Sequence, residues 1–167
     1  MRWRLAALWV GLFLCSAGIA ADQFNVHFDP KTDFSAFRTF AMRDGTVTSL
    51  RPELDNPLFV KKLRTTIRAA LIARGLKETT DRPDLLVDYT VTGEDVSIGV
   101  PTPSRNMGPQ PHRFTEGMLV IDLTKFADTV PVWRGVYRDD ENTGSRLVQK
   151  LPEDAKKLIA KYPPRSK

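Results

Sequence analysis

The sequence predicts an α+β domain, a mostly antiparallel sheet of about five strands with two helices packed on one face. Three observations carry this expectation. Short segments that alternate apolar and polar residues, the period of a half-buried strand, outnumber the segments with helical spacing. The two helical stretches fall at separate points in the chain instead of following every strand, which argues against a doubly wound parallel sheet. Residues 22–167, which follow an apolar amino-terminal run, have the length of one ordinary domain able to bury a core.

The amino-terminal run reads as a secretory signal peptide spanning residues 1–21. Arg2 and Arg4 precede the uncharged stretch Leu5 to Leu14, and small residues dominate from Ser16 to Ala21, so cleavage is expected after Ala20 or Ala21. The apolar stretch is too short to cross a bilayer of about 30 Å, which takes roughly 20 apolar residues as a helix. Cys15 raises a second reading, an acylated lipoprotein, but Leu14 stands where a lipobox has a small residue. If the signal is removed as a soluble leader, Cys15 leaves with it. The chain has one cysteine, so disulfides and thiolate chemistry leave as well. The expected location is the periplasm, with an outer-membrane lipoprotein as the less favoured alternative.

Phe24-Asn25-Val26-His27-Phe28 alternates as a strand and stops at Asp29-Pro30. Phe37 to Met42 reads as a second strand closing at Asp44-Gly45, and the polar stretch Thr46 to Asp55, with Pro52, reads as a loop. A helix is expected from about Pro57 to Arg74. Asn56 suits its N-cap and Pro57 its first position, Phe59, Leu63, Ile67 and Leu71 recur at helical spacing, and Gly75 supplies the stop. Its opposite face, with Lys61, Lys62, Arg64 and Arg68, reads as a solvated side.

Leu85 to Val91 is rich in β-formers and forms a strand that extends toward Val96 or Ile98. Gly99 to His112 holds four prolines and two glycines and reads as a long loop. Gly117 to Leu123 and Val130 to Arg138 then form an antiparallel hairpin around Ala127-Asp128. Leu147, Leu151, Ala155, Leu158, Ile159 and Tyr162 mark a second helix, which Pro152 either kinks or restarts. Ser145 reads as its cap.

Several of these segments together resemble a known family. Asp29-Pro30-Lys31-Thr32-Asp33-Phe34-Ser35-Ala36-Phe37-Arg38-Thr39-Phe40-Ala41, Pro83 to Tyr89, Gly117 to Asp122 and Val132-Trp133-Arg134-Gly135 are similar, in order, to the blocks of the bacterial envelope family called domain of unknown function 4136. The resemblance implies a small exported α+β domain, commonly a lipoprotein. It implies no activity, because the family has no established catalytic residues to carry over.

The residues themselves assemble no reactive constellation. His27 and His112 are the only histidines and lie far apart, Asp139-Asp140-Glu141 lacks the ligand spacing of a calcium loop, and neither a nucleophile elbow nor a phosphate-binding glycine loop occurs. No cofactor is expected. Without Arg2 and Arg4, the 25 Lys+Arg become 23 against 20 Asp+Glu, an excess of about +3. That excess is too small for a nucleic-acid partner, which export also disfavours.

The expected function is a non-enzymatic binding or accessory module at the periplasm or outer membrane. Its partner would be an envelope protein, lipid or glycan, and the basic carboxyl end, Lys156 to Lys167, offers peripheral membrane contact. The alternative is an envelope hydrolase acting on a glycan or lipid. Trp133, Arg134 and Tyr137 form the expected binding patch, Trp133 and Tyr137 sharing one strand face across Gly135, provided that face is exposed. Structural roles are expected for Asp29 and Asp33, as acceptors in the proline turn, and for an Arg134–Asp122 pair across the hairpin.

Overall fold

A computed structural model describes residues 24–100, 110–139 and 143–163. The expected signal peptide, Cys15 and most of the expected Gly99–His112 loop lie outside these residues. The strands are β1 (Phe24–Phe28), β2 (Thr39–Met42), β3 (Thr46–Ser49), β4 (Lys77–Glu78), β5 (Leu85–Val100), β6 (Gln110–Lys125) and β7 (Pro131–Asp139). The helices are α1 (Pro57–Ala73), between β3 and β4, and α2 (Gly144–Ala160), after β7.

All seven strands form one sheet, in the order β1-β7-β6-β5-β2-β4, and β3 also lies against β5. The sheet is mixed, which corrects the expectation of about five mostly antiparallel strands. β1, β7, β6 and β5 are antiparallel neighbours, but β2 and β3 both run parallel to β5, and β4 runs parallel to β2. The reason is the crossover. A chain that leaves β3, passes through α1 and re-enters the sheet beside the strands it left comes back parallel to them. β3 falls inside the expected Thr46–Asp55 loop because its threonines look polar, although it alternates like any strand with one solvated face. β4 is two residues long and leaves no period to read.

Both helices cover one face. Odd-numbered β5 residues Leu85, Val87, Tyr89 and Val91 are buried there, joined by Leu119, Ile121 and Leu123 of β6. α1 turns Phe59, Leu63, Ile67 and Leu71 inward, with Asn56 accepting the Leu58 N–H as N-cap and Gly75 at φ 87° after its end. α2 lies directly on β6 and β7. A side chain at Gly117 would meet Leu147, and one at Gly135 would meet Leu158 and the Trp133 ring at under 3 Å, so these glycines let the helix approach closely. Thr143, not Ser145, caps α2, accepting the Arg146 N–H at 3.3 Å. Pro152 neither ends nor restarts the helix. Its ring is buried in the core, which offsets the hydrogen bond that its nitrogen cannot donate.

Carboxylates fix the turns. Asp29 accepts the Lys31 N–H at 2.9 Å and the Thr32 hydroxyl at 2.7 Å, and these bonds hold its pKa below the ordinary carboxylate value. Asp33 does the same with the hydroxyl and N–H of Ser35. Asp84 pins β2 to the start of β5. One of its oxygens takes the Arg38 N–H, the Thr39 N–H and the Thr39 hydroxyl, each at 2.8 Å. Burial pushes the Asp84 carboxyl up, but the three donors outweigh it and hold the pKa below the ordinary value.

A depressed pKa contributes stability that is fully present above the unfolded pKa of about 3.9 and is lost as pH falls through the folded value. Asp84→Asn is therefore expected to cost about 1–3 kcal/mol at pH 7. The gap from wild type begins to narrow as pH drops below about 4 and closes only below the lowered folded pKa, where the wild-type carboxyl also becomes neutral. Urea unfolding of both proteins across that range checks it, and a gap that stays constant with pH would refute the role of the charge.

Candidate functional site: the open face and the projecting ribbon

The uncovered sheet face carries the even-numbered residues of β5, β6 and β7. A charged row crosses it. Arg134 holds Asp122 through two bonds, Nε to Oδ1 at 2.6 Å and an Nη to Oδ2 at 2.9 Å, while Arg43 holds Asp88 at 2.7 Å. Asp88 and Asp122 stand opposite each other across β5 and β6, so each arginine screens a carboxylate from its like neighbour. The expected Arg134–Asp122 pair is thus present, and it occupies the donors of Arg134 that face the sheet.

Trp133 and Tyr137 point the other way. Both are buried under α2 at 1 % exposure, so the condition attached to the expected patch is not met, and of its three residues only Arg134 reaches the surface. The Tyr137 hydroxyl donates to Asp139 at 2.5 Å, and Asp139 also accepts Lys150 of α2 at 2.7 Å. Burial first, then hydrogen bonding to Asp139 and Asp154, pushes the Tyr137 pKa far up and keeps the hydroxyl protonated. The alternation that places Trp133 and Tyr137 on one face was legible. α2 covers that face, and Gly135 between them lets Leu158 come close.

The surface feature that dominates the described residues continues the expected long strand past Ile98 and takes in both ends of the expected Gly99–His112 loop. β5 and β6 pair over all sixteen residues of each, from Leu85 opposite Lys125 to Val100 opposite Gln110. Their flanking strands stop earlier, β3 at Gly93 and β7 at Gly117. Beyond these glycines a two-stranded ribbon projects about 23 Å, seven residues at about 3.3 Å each. His112, expected in the loop, lies on the ribbon opposite Ile98. Of the prolines and glycines that suggested a loop, Gly99 and Pro111 stand opposite each other on the ribbon, and the others lie outside the described residues.

The ribbon is tied down at its base. Arg51 bonds Asp95 and Thr115 together, its Nε to Asp95 Oδ1 at 2.8 Å and an Nη to Thr115 Oγ1 at 3.0 Å. A groove of about 540 Å³ opens beside it, between Ser49, Leu50 and Arg51 where β3 peels away, and Gly93 and Asp95 on the edge of β5. Leu50 lines the groove and is fully exposed. On the open face a hollow of about 320 Å³ lies over Glu94, Glu116 and Arg138.

The edge of the ribbon has a definite polarity. The Arg43 N–H donates to Val87 O at 2.9 Å and the Ser49 hydroxyl to Gly93 O at 2.9 Å, so odd-numbered β5 residues aim their backbone groups toward β2 and β3. By the same alternation Asp95, Ser97 and Gly99 present N–H and C=O groups outward, where no described strand pairs with them. The signal for this edge was present in the sequence: Glu94 to Val100 contains none of the Lys, Arg or Pro residues with which edges are protected.

No three metal-ligating side chains cluster among the described residues, and no described helix is long and apolar enough to cross a membrane. Trp133→Ala is expected to lower stability by about 3–5 kcal/mol, as loss of a core aromatic does. Arg134→Ala should cost less than about 1 kcal/mol because its ion pair is solvent-exposed. Thermal melts of the two variants separate these roles, and equal melting temperatures would refute them.

A family model described as "Domain of unknown function (DUF4136)" matches residues 24–164. No curated protein matches the chain in sequence. Among solved structures, the chain is similar to a PDZ domain protein from Parabacteroides distasonis, with TM-score 0.59 and 16% identity over 84% of this chain; it spans 35% of that protein's length. It is also similar to a DUF4136 family protein from Bacteroides thetaiotaomicron, with TM-score 0.51 and 11% identity, covering 82% of this chain and 91% of the other. The PelC dodecamer from Paraburkholderia phytofirmans gives TM-score 0.51 and 9% identity, covering 85% and 99%. At such identities the likeness is one of fold.

Proposed function

Since this chain belongs to the DUF4136 family, we propose that it is an exported component of the bacterial envelope, in the periplasm or at the outer membrane, that works without catalysis by binding another envelope component through the β5–β6 ribbon. The observation that carries this reading is the ribbon itself. A two-stranded ribbon is marginal in water unless a third strand or a packed surface supports it, and beyond the Arg51 contact at its base this one has no third strand along Glu94–Val100 among the described residues. Open backbone groups at Asp95, Ser97 and Gly99 suit strand addition, in which an extended partner supplies the missing ladder. The amino-terminal export pattern supports the location. The fold of PelC, which forms a dodecamer, supports assembly as a use for this architecture.

A photo-crosslinking residue at position 97 in the producing cell, with position 124 on the open face as control, tests the reading. A product specific to position 97, identified by mass spectrometry as an envelope component, is expected. No product above the control would refute it. Reproducible cleavage of a glycan or lipid by the purified chain, abolished by Glu116→Gln, would refute the non-catalytic part.

A further inference from the structure

We propose that the partner of the β5 edge is a second copy of this chain, paired antiparallel about Ser97; the proposal rests on the ribbon-binding reading above and names its partner. The sequence of the edge is self-complementary in that register. With Ser97 facing Ser97 of the partner subunit, Asp95 faces Gly99 and Gly99 faces Asp95, and these are the three positions whose N–H and C=O groups point outward. Each facing pair exchanges two bonds, about six in all. Val96 then faces Ile98, and Glu94 faces Val100. No like charges oppose one another, and aliphatic residues meet across the join. Alternatives through β6, on the other side of the ribbon, fare worse: β6 carries Pro111, which has no N–H to donate, and self-pairing about Arg113 sets two like-charged residues at facing positions.

The groove beside β3 fits the same arrangement. In this register the partner's Gly99 and Val100 arrive next to Glu94 and Asp95, where β3 has already diverged and the 540 Å³ groove has opened. An incoming strand end enters that space beside Leu50, which is fully exposed in the single chain. The contact is isologous, so it closes as a two-fold dimer, and each marginal two-stranded ribbon becomes part of a four-stranded sheet.

Analytical ultracentrifugation of the chain as processed by the producing cell is expected to show a concentration-dependent monomer–dimer equilibrium. Ser97→Pro removes the outward N–H at the two-fold and spares the bonds to β6, so it should weaken dimerisation at least tenfold while leaving the melting temperature of the monomer unchanged. Ser97→Cys should give a homodimer with a short bis-maleimide, and Thr124→Cys should not. Either processing of the amino end leaves no other free thiol, since Cys15 is removed or acylated. A chain that stays monomeric, or a dimer that either Ser97 variant shows to be joined elsewhere, overturns the proposal. If the chain is monomeric and position 97 crosslinks in cells to a different envelope component, the second copy is refuted and the binding reading stands.

Discussion

β5 is longer than anything that flanks it on its outer side, and the rest of the structure follows from how that mismatch is handled. Over Leu85 to Gly93 it has β6 on one side and β2 or β3 on the other, with α1 and α2 above its odd-numbered residues. This half is the core. Past Gly93 the same strand keeps only β6 among the described strands, and the alternation that buried Tyr89 and Val91 delivers Asp95 and Ser97 to solvent. One continuous strand is thus both the centre of the hydrophobic core and one half of the projecting ribbon. Arg51, bridging Asp95 and Thr115, marks the point where one role changes into the other.

The covered half is committed to stability. Gly135 and Gly117 admit α2 so closely that Trp133 and Tyr137 have nowhere to go but inward, and the Tyr137–Asp139–Lys150 chain then locks the helix to β7. Buried polar groups held this way are costly to disturb and poorly placed to meet a ligand. The open face is similarly self-satisfied along its central row, where Asp88 and Asp122 each have an arginine. On the ribbon edge the backbone groups of Asp95, Ser97 and Gly99 have no strand partner among the described residues.

Much of the fold was legible in the sequence. β1 was read with its observed ends, and α1 with its cap, its buried stripe and its glycine stop, because each has a clean period and strong boundary residues. The Arg134–Asp122 pair followed from adjacent strands of one hairpin. Parallel pairing did not, because the period of a strand is the same whichever neighbour it has; only the strand–helix–strand order around α1 hinted at it. β3 and β4 were missed for shortness and polarity. The site was the least legible part. Gly99 and Pro111, which face each other on paired strands, look like the Gly and Pro of a loop, and Trp133 and Tyr137 looked like a patch because sequence alone does not say which side of β7 the helix takes.

Residue-resolved hydrogen exchange at the outward amides of Asp95, Ser97 and Gly99, followed as protein concentration rises, tests the self-pairing of the ribbon edge most directly. Amides of even-numbered β5 residues, which bond within the ribbon, serve as the internal reference. Self-pairing predicts that the three odd-numbered amides gain protection with concentration until they match or exceed their even-numbered neighbours. Fast exchange of all three, independent of concentration, would contradict it.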